Sequence, residues 1–425
     1  MFWKKKEKKV EPSFFSYENL KSLGSLILII FAIRSVVASP YVVPTASMEP
    51  TIKVGDRLLA WKLALKGVGL VAPNPLVGSV AVGKNGEFLA GAFHQQFGKK
   101  HAEALLIEKL KEKGLLAKLQ EGCVYVTLEP CSHVGKNPPC AKLLADINVA
   151  KVIYGQKDPN PLVNGKRQNI LSQKGVLATQ ETFGLDQKLA ELTERFFYTQ
   201  KHQKPFVALK IAQSANSVSC YKNDQRNWIT NHKARSHGHF LRLKYQCVLV
   251  GAGTVIYDNP YLDARLSPFP QKTPHRVVLD PNARALLARP FYEHNIVRKN
   301  PEKTIWCLRK KVWENFPTSI KKEIISSQIK CIFLQQEEKQ DIIAEVLEKL
   351  TDENIYSVLV EGGPFTWSSF LDGGFANKVY CFQSPDLLGG KDTVLSTQIL
   401  RQKIELTPHK ITPFDHNILI ESYTK

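Results

Sequence analysis

The sequence predicts two consecutive α/β domains behind a short, dissimilar leader. Three observations carry this. Short apolar strands such as Cys123–Leu128 alternate with amphipathic stretches of helical period from Leu58 onward. The alternation resumes at Phe206 after a polar break. The length of 425 residues, 43% of them hydrophobic, suffices for two ordinary cores.

The formal charge of +19 comes from scattered lysines without interleaved aromatic residues, so nucleic acid is not an expected partner. Cysteines at 123, 131, 140, 220, 247, 307, 331 and 381 form no dense disulfide framework, which points to a reducing compartment.

In chain order, the leader (1–56) opens with Lys4, Lys5, Lys6, Lys8 and Lys9. An apolar run from Leu23 to Ile33 follows, is interrupted by Arg34 and continues more weakly to Val43. Residues 23–43 are therefore read as a transmembrane or membrane-associated segment, an inner-membrane tether near the usual span of about 20 residues. Beyond it, Ser47-Met-Glu-Pro50-Thr51 and Gly55-Asp56 resemble the start of a type I signal peptidase. In that family the serine matching Ser47 is the nucleophile and a later lysine its base. The β-rich domain bearing that lysine is missing here, so the leader reads as a fused remnant.

The first domain (57–200) begins with a short helix, Leu58 to Lys66, and a rigid Pro73-Asn74-Pro75 turn. Gly78–Val82 and Phe88–Phe93 form a hairpin about Asn85-Gly86. A helix over 101–121, the strand Cys123–Leu128, a helix over 138–147 and the strand from Lys151 follow. Tyr198 to Lys204 reads as a polar linker. The second domain (203–425) has strands starting at Phe206, Cys247, Arg276, Thr304, Ile329, Ser357 and Lys378, with helices over 231–243, 338–350 and 365–371.

His101-Ala-Glu103 opens one helix, Glu129-Pro130-Cys131 closes a strand, and Cys140 starts the next helix. One imidazole and two thiolates make a Zn²⁺ set that leaves a fourth position open to water. Helix-start N–H groups favour the thiolates. Glu103, two residues from His101, is placed to move protons rather than to ligate. This is the hydrolytic deaminase pattern of H-x-E with P-C-x-x-C, here with a longer gap between the cysteines. A structural zinc completed by His133 is the competing reading, but such sites use tighter cysteine spacing.

Longer strings sharpen the pattern. Pro73-Asn74-Pro75-Leu-Val77-Gly78, His101-Ala-Glu103, Thr127-Leu-Glu129-Pro-Cys131-Ser-His133-x-Gly135-x-x-Pro138-Pro139-Cys140 and Asp158-Pro-Asn160-Pro161 resemble the bifunctional riboflavin-biosynthesis deaminase–reductase family. The resemblance implies a cytidine-deaminase-like three-layer domain followed by a dihydrofolate-reductase-like α/β domain. It implies deamination of 2,5-diamino-6-(5-phosphoribosylamino)pyrimidin-4(3H)-one, then NADPH-dependent reduction of the ribosyl group of the product to ribityl. Zn²⁺ and NADPH are the implied cofactors, a phosphorylated pyrimidine is the implied partner, and the catalytic domains are expected in the cytoplasm. A homo-oligomer is left open.

By the same resemblance Asn74, His133, Asp158 and Asn160 border the deaminase substrate. Lys210, Arg226, Trp228, Asn259, Leu262, Arg265 and Glu361 contact the reductase substrate, and Thr230, Gly251, Gly253, Thr254 and Gly363 the cofactor. Gly251-Ala-Gly253-Thr254 after a strand also suits a dinucleotide turn. The chain departs from the family at Asn216-Ser217, Arg226 and Asn259, where Asp-Gly, Ser and Asp are usual, and at Gly165-Lys-Arg167 in place of G-x-G. Two lost carboxylates imply either altered ribose contacts or a weakened reductase, so an active deaminase with a degenerate second domain is the alternative.

Overall fold

A computed structural model of the chain describes residues 54–132, 138–159, 170–182, 184–221, 228–266, 273–390, 393–396, 400 and 403–425. The leader with Ser47, together with His133, Asn160, Gly165–Arg167 and Arg226, lies outside the described residues. The transmembrane expectation is corrected: among the described residues no helix is long and apolar enough to cross a membrane. Residues 23–43, on which it rested, are not among them.

The first sheet has the order β2-β1-β3-β4-β5. Its strands are β1 (Gly78–Val82), β2 (Phe88–Phe93), β3 (Cys123–Leu128), β4 (Lys151–Gln156) and β5 (Leu177–Gln180). The β1–β2 hairpin and the β1–β3 pair are antiparallel, whereas β3, β4 and β5 run parallel. Helix α1 (Val54–Leu65) covers one face. Its Ala60 packs with Val80, Val82, Tyr125 and Ile153. Helices α2 (Ala102–Glu112) and α3 (Cys140–Asp146) cover the other, where Leu106, Leu110 and Leu144 meet Ala81, Val124, Val126 and Val152. Strand residues buried alternately on both faces make the expected three-layer domain. Gly78 permits the closest approach, because a Cβ there would stand 2.0 Å from the Ala60 carbonyl oxygen on α1.

Two helical expectations change. The 101–121 helix stops at Glu112, where Gly114 turns back with φ +65°, leaving a single further turn at Leu116–Leu119. The polar stretch 198–204 is not a linker: helix α4 (Asp186–His202) runs through it and ends at a left-handed Gln203. Tertiary contacts account for this, since Tyr198 packs against Phe206 and Thr199 bonds the Tyr356 carbonyl at 3.3 Å.

The second sheet has nine strands in the order β11-β10-β9-β8-β12-β6-β13-β16-β15. They are β6 (Phe206–Gln213), β8 (Cys247–Gly251), β9 (His275–Leu279), β10 (Thr304–Arg309), β11 (Lys330–Leu334), β12 (Ser357–Val360), β13 (Lys378–Gln383), β15 (Leu406–Phe414) and β16 (Asn417–Thr424). β7 (Val218–Tyr221) pairs separately with β14 (Thr393–Leu395). All pairs from β11 to β13 are parallel, and the β15–β16 hairpin adds an antiparallel edge. The principal helices are α5 (His232–Lys244), α6 (Ala252–Asp258), α7 (Lys339–Asp352) and α8 (Pro364–Asp372), with further helical segments between, the longest at Thr318–Ser326. The chain winds outward from β8 through β9, β10 and β11, and β12 lies on the other side of β8. That reversal opens a crevice at the strands' carboxyl ends.

Candidate active sites

The metal set forms at the carboxyl end of β3. His101 is the extended residue just before α2, and its imidazole makes no capping bond there, so it is free for other work. Cys131 is held by the start of α3: its sulfur accepts from the Cys140 backbone N–H at 3.4 Å, and its carbonyl accepts from Ala141. His101 Nδ1 stands 3.6 Å from Cys131 Sγ and 3.4 Å from Cys140 Sγ. These ligand atoms lie within 4.8 Å of one another. One imidazole and two thiols converging without a fourth protein ligand among the described residues is the donor chemistry of an open zinc site. The two thiols share a hydrogen bond, so Cys140 and His101 lower the Cys131 thiol pKa toward the thiolate that a metal requires while Cys140 is pushed up.

Glu103 is buried on the first turn of α2. Burial, reinforced by the Cys131 charge, pushes its carboxyl up to about 7. Glu103, His101, Cys131, Asn74 and Asp158 all line one cavity of about 280 Å3. Sequence reasoning missed His94, Glu129 and Phe196 on its wall. His94 Nδ1 meets the Lys100 carbonyl oxygen at 3.0 Å, so that nitrogen carries the proton. Burial keeps the ring neutral, and Nε2 therefore accepts from Asn74 Nδ2 at 3.0 Å. The Asn74 amide orientation is thereby set. Glu129 Oε2 accepts from the Asp158 backbone N–H at 3.1 Å, tying the ends of β3 and β4 together.

Two further cavities flank the crevice of the second sheet. One, of about 820 Å3, is lined by Gly251, Gly253, Thr254 and Gly363, with Arg284, Arg309 and Lys339 around it. A Cβ at Gly253 or Gly363 would meet no atom within 4 Å, so these residues face open space. Gly251 serves packing instead, because its Cβ would stand 2.4 Å from Thr366 Oγ1. Open glycine backbone, a hydroxyl and nearby cations fit a phosphorylated dinucleotide.

The other cavity, of about 780 Å3, brings together Lys210, Trp228, Asn259, Leu262, Arg265 and Glu361. Thr230 lies here too, away from the glycine cleft to which the family pattern would assign it. Leu262 keeps its side chain in the core, so its backbone, in the left-handed region with φ +52°, borders the space. Lys210 is partly buried, and desolvation lowers its pKa. Thr254 and Asp258 line both cavities, which therefore meet. Arg235, His239 and Arg242 were not singled out as site residues, yet all line this space. Their i, i+4, i+7 spacing on α5 is the signal that places them on one helix face.

The two unusual asparagines use their amides locally. Asn216 accepts from the Leu388 N–H at 3.0 Å and donates to the Leu388 carbonyl at 2.7 Å. Asn259 donates to the Glu293 carbonyl at 3.0 Å and accepts from the Asn295 N–H at 2.9 Å. A carboxylate could accept in either place but could not donate.

Comparison with known proteins agrees with this geometry. Residues 58–156 match the cytidine and deoxycytidylate deaminase zinc-binding region, and residues 205–420 match the RibD C-terminal domain. Residues 16–89 match the signal peptidase family S26, overlapping α1 and the first hairpin. The riboflavin biosynthesis protein RibD of Actinobacillus pleuropneumoniae is 33% identical over 348 residues, covering 82% of this chain and 88% of the relative. That of Bacillus amyloliquefaciens is 36% identical over 333 residues, covering 78% and 84%. A solved diaminohydroxyphosphoribosylaminopyrimidine deaminase/5-amino-6-(5-phosphoribosylamino)uracil reductase from Thermotoga maritima is 31% identical. It superimposes with a TM-score of 0.74 over 87% of this chain and 98% of that one. Acinetobacter baumannii RibD gives 27% identity and a TM-score of 0.72 over the same shares. With a zinc deaminase fold, an NADPH reductase fold and both sets of cavities on one polypeptide, the chain belongs to the RibD family of bifunctional deaminase–reductases of riboflavin biosynthesis.

Proposed function

We propose that the domain over 57–200 deaminates 2,5-diamino-6-(5-phosphoribosylamino)pyrimidin-4(3H)-one. The domain over 203–425 then reduces the ribosyl group of 5-amino-6-(5-phosphoribosylamino)uracil to ribityl with NADPH. The observation that carries the first step is the convergence of His101, Cys131 and Cys140 beside a cavity that His101, Cys131 and Glu103 line together. Zinc, when bound by His101, Cys131 and Cys140, supplies a Lewis acid that lets water attack at neutral pH. Glu103 takes a proton from that water and returns it to the departing amine, so a C–O bond forms, the C–N bond breaks and ammonia leaves. Asn74, fixed by His94, and Asp158 hold the ring, and the family pattern adds His133 and Asn160.

The second step is supported by the two cavities that meet at Thr254 and Asp258. Gly253, Thr254 and Gly363, with Gly251 packed behind them, would hold NADPH, which would supply a hydride to the ribosyl C1′ while the C1′–O4′ bond breaks and O4′ takes a proton from solvent. Lys210, Glu361, Arg265 and Trp228 surround the substrate. Thr230 belongs with this substrate group by position. The amide bonding of Asn216 and Asn259 favours a working reductase over a degenerate one. Both domains are placed in the cytoplasm, with their cofactor. The deciding experiment offers the deaminated ribosyl intermediate and NADPH to the zinc-loaded chain. Oxidation of NADPH is expected, and a folded protein that oxidises none rejects the bifunctional reading.

A further inference from the structure

Between the two domains lies a cavity of about 290 Å3 to which neither reaction above assigns a role. Its deaminase wall is the Pro73–Leu76 turn with Arg195 and Phe196 of α4, and its reductase wall includes Lys244 and Tyr245 at the end of α5, and Lys303. Asn74, Pro75 and Phe196 line this cavity and the zinc-site cavity alike, so the two adjoin.

The lining is electrically one-sided. Cations come from both domains, and no Asp or Glu is among the described lining residues. Arg195 is paired with Glu194 at 3.2 Å, and Lys303 donates to the Thr273 carbonyl at 3.1 Å. Glu194 is already engaged by Lys378 at 3.2 Å and Tyr423 at 2.6 Å. Lys244 makes no ion pair within 4.0 Å among the described residues, and the Glu194 and Glu421 charges act on it only from farther away. Burial first, then the Arg195 and Lys378 charges, lower its pKa to about 8 against the opposing pull of Glu194 and Glu421. A partly buried cation beside other cations is unfavourable until an anion joins it. The space exceeds a single ion and suits an anion with a small polar body.

We propose that this interdomain cavity binds a phosphate monoester, with Lys244, Arg195 and Lys303 as its cations. The phosphate has two sources with the same chemistry. It is the tail of the deaminase substrate reaching past Asn74 and Pro75, which rests on the function proposed above, or it is a free sugar phosphate. In either case the reductase domain completes a site that the deaminase domain cannot form alone.

Chemical footprinting of the full chain tests this. An amine-reactive label is applied with ribose 5-phosphate or ribose present, and the Lys244 peptide is read by mass spectrometry. Ribose 5-phosphate should slow Lys244 labelling severalfold and ribose should not, a readout that needs no enzymatic turnover. In parallel, Lys244→Gln is assayed for deamination. A rise in KM of about tenfold at unchanged kcat, as expected for losing one charged contact, identifies the substrate tail. Protection of Lys244 with KM unchanged in the variant identifies a free sugar phosphate. No protection at millimolar ribose 5-phosphate together with an unchanged KM overturns the proposal.

Discussion

Arg242 grips Glu361 through two parallel hydrogen bonds, Nε to Oε1 at 2.6 Å and a terminal nitrogen to Oε2 at 2.9 Å, on the wall of the reductase cavity. Helix α5 thereby fixes a carboxylate that follows β12, across 119 positions of sequence. Burial would raise the Glu361 carboxyl, but the Arg242 guanidinium outweighs it and holds the group below its ordinary value. Replacing Glu361 by Gln removes the carboxylate that balances the Arg242 charge, which costs about 3–5 kcal/mol in comparable sites. The expected result is a lower melting temperature and loss of NADPH oxidation, with ammonia release from the deaminase substrate retained. Loss of both activities in a folded variant would contradict the assignment.

Glu103→Gln separates metal binding from proton transfer. The variant should keep zinc, measured as metal per chain, because His101, Cys131 and Cys140 are untouched. Deamination should fall by about 10²–10⁴-fold, the usual worth of a positioned acid–base group. Removing zinc with a chelator should abolish ammonia release and spare NADPH oxidation.

His94→Ala tests whether Asn74 needs its orienting partner. Without the Nε2 acceptor the Asn74 amide is free to rotate. A drop of about 10–100-fold in deaminase kcat/KM is expected, by analogy with residues that orient metal ligands. Wild-type kcat/KM in this variant would show that the loop alone holds Asn74.

Lys378 is wholly buried against Glu194 at 3.2 Å and Glu421 at 3.3 Å, so it joins α4 of the first domain to the second sheet. Burial opposes ionisation of Glu194, yet Lys378, Arg195 and the Tyr423 hydroxyl hold its carboxyl below the ordinary 4.5. A carboxyl depressed in the folded state stabilises above its unfolded pKa, and that stabilisation is lost as pH falls through the folded value. Lys378→Met should therefore unfold more easily at neutral pH, by about 3 kcal/mol. The gap to wild type should narrow as Glu194 is protonated on acidification below 4.5. Thermal melts across this range check both, and a constant gap would remove Glu194 from the explanation.

The deaminase centre was legible because its chemistry is local. His101 and Glu103 share one helix start, and Cys140 starts the next helix only nine positions after Cys131, so spacing alone restricts what they can do. The parallel strands were legible as short buried apolar runs. The terminal hairpin was not, since Pro408 and Pro413 argue against a strand. The structure puts β15 at the sheet edge, where prolines are tolerated.

By itself, the sequence determined two α/β domains, the three metal-ligating side chains and the glutamate beside them, because these depend on periodicity and short spacings. It also supplied the long motif strings of the family. Only the tertiary structure decided how Asn74 is oriented by His94, how Arg242 meets Glu361 and where Thr230 lies. It alone revealed the cationic cavity between the domains. Each of these depends on side chains from distant segments meeting in a low-dielectric interior, where hydrogen-bond and charge balance, rather than local propensity, settles position.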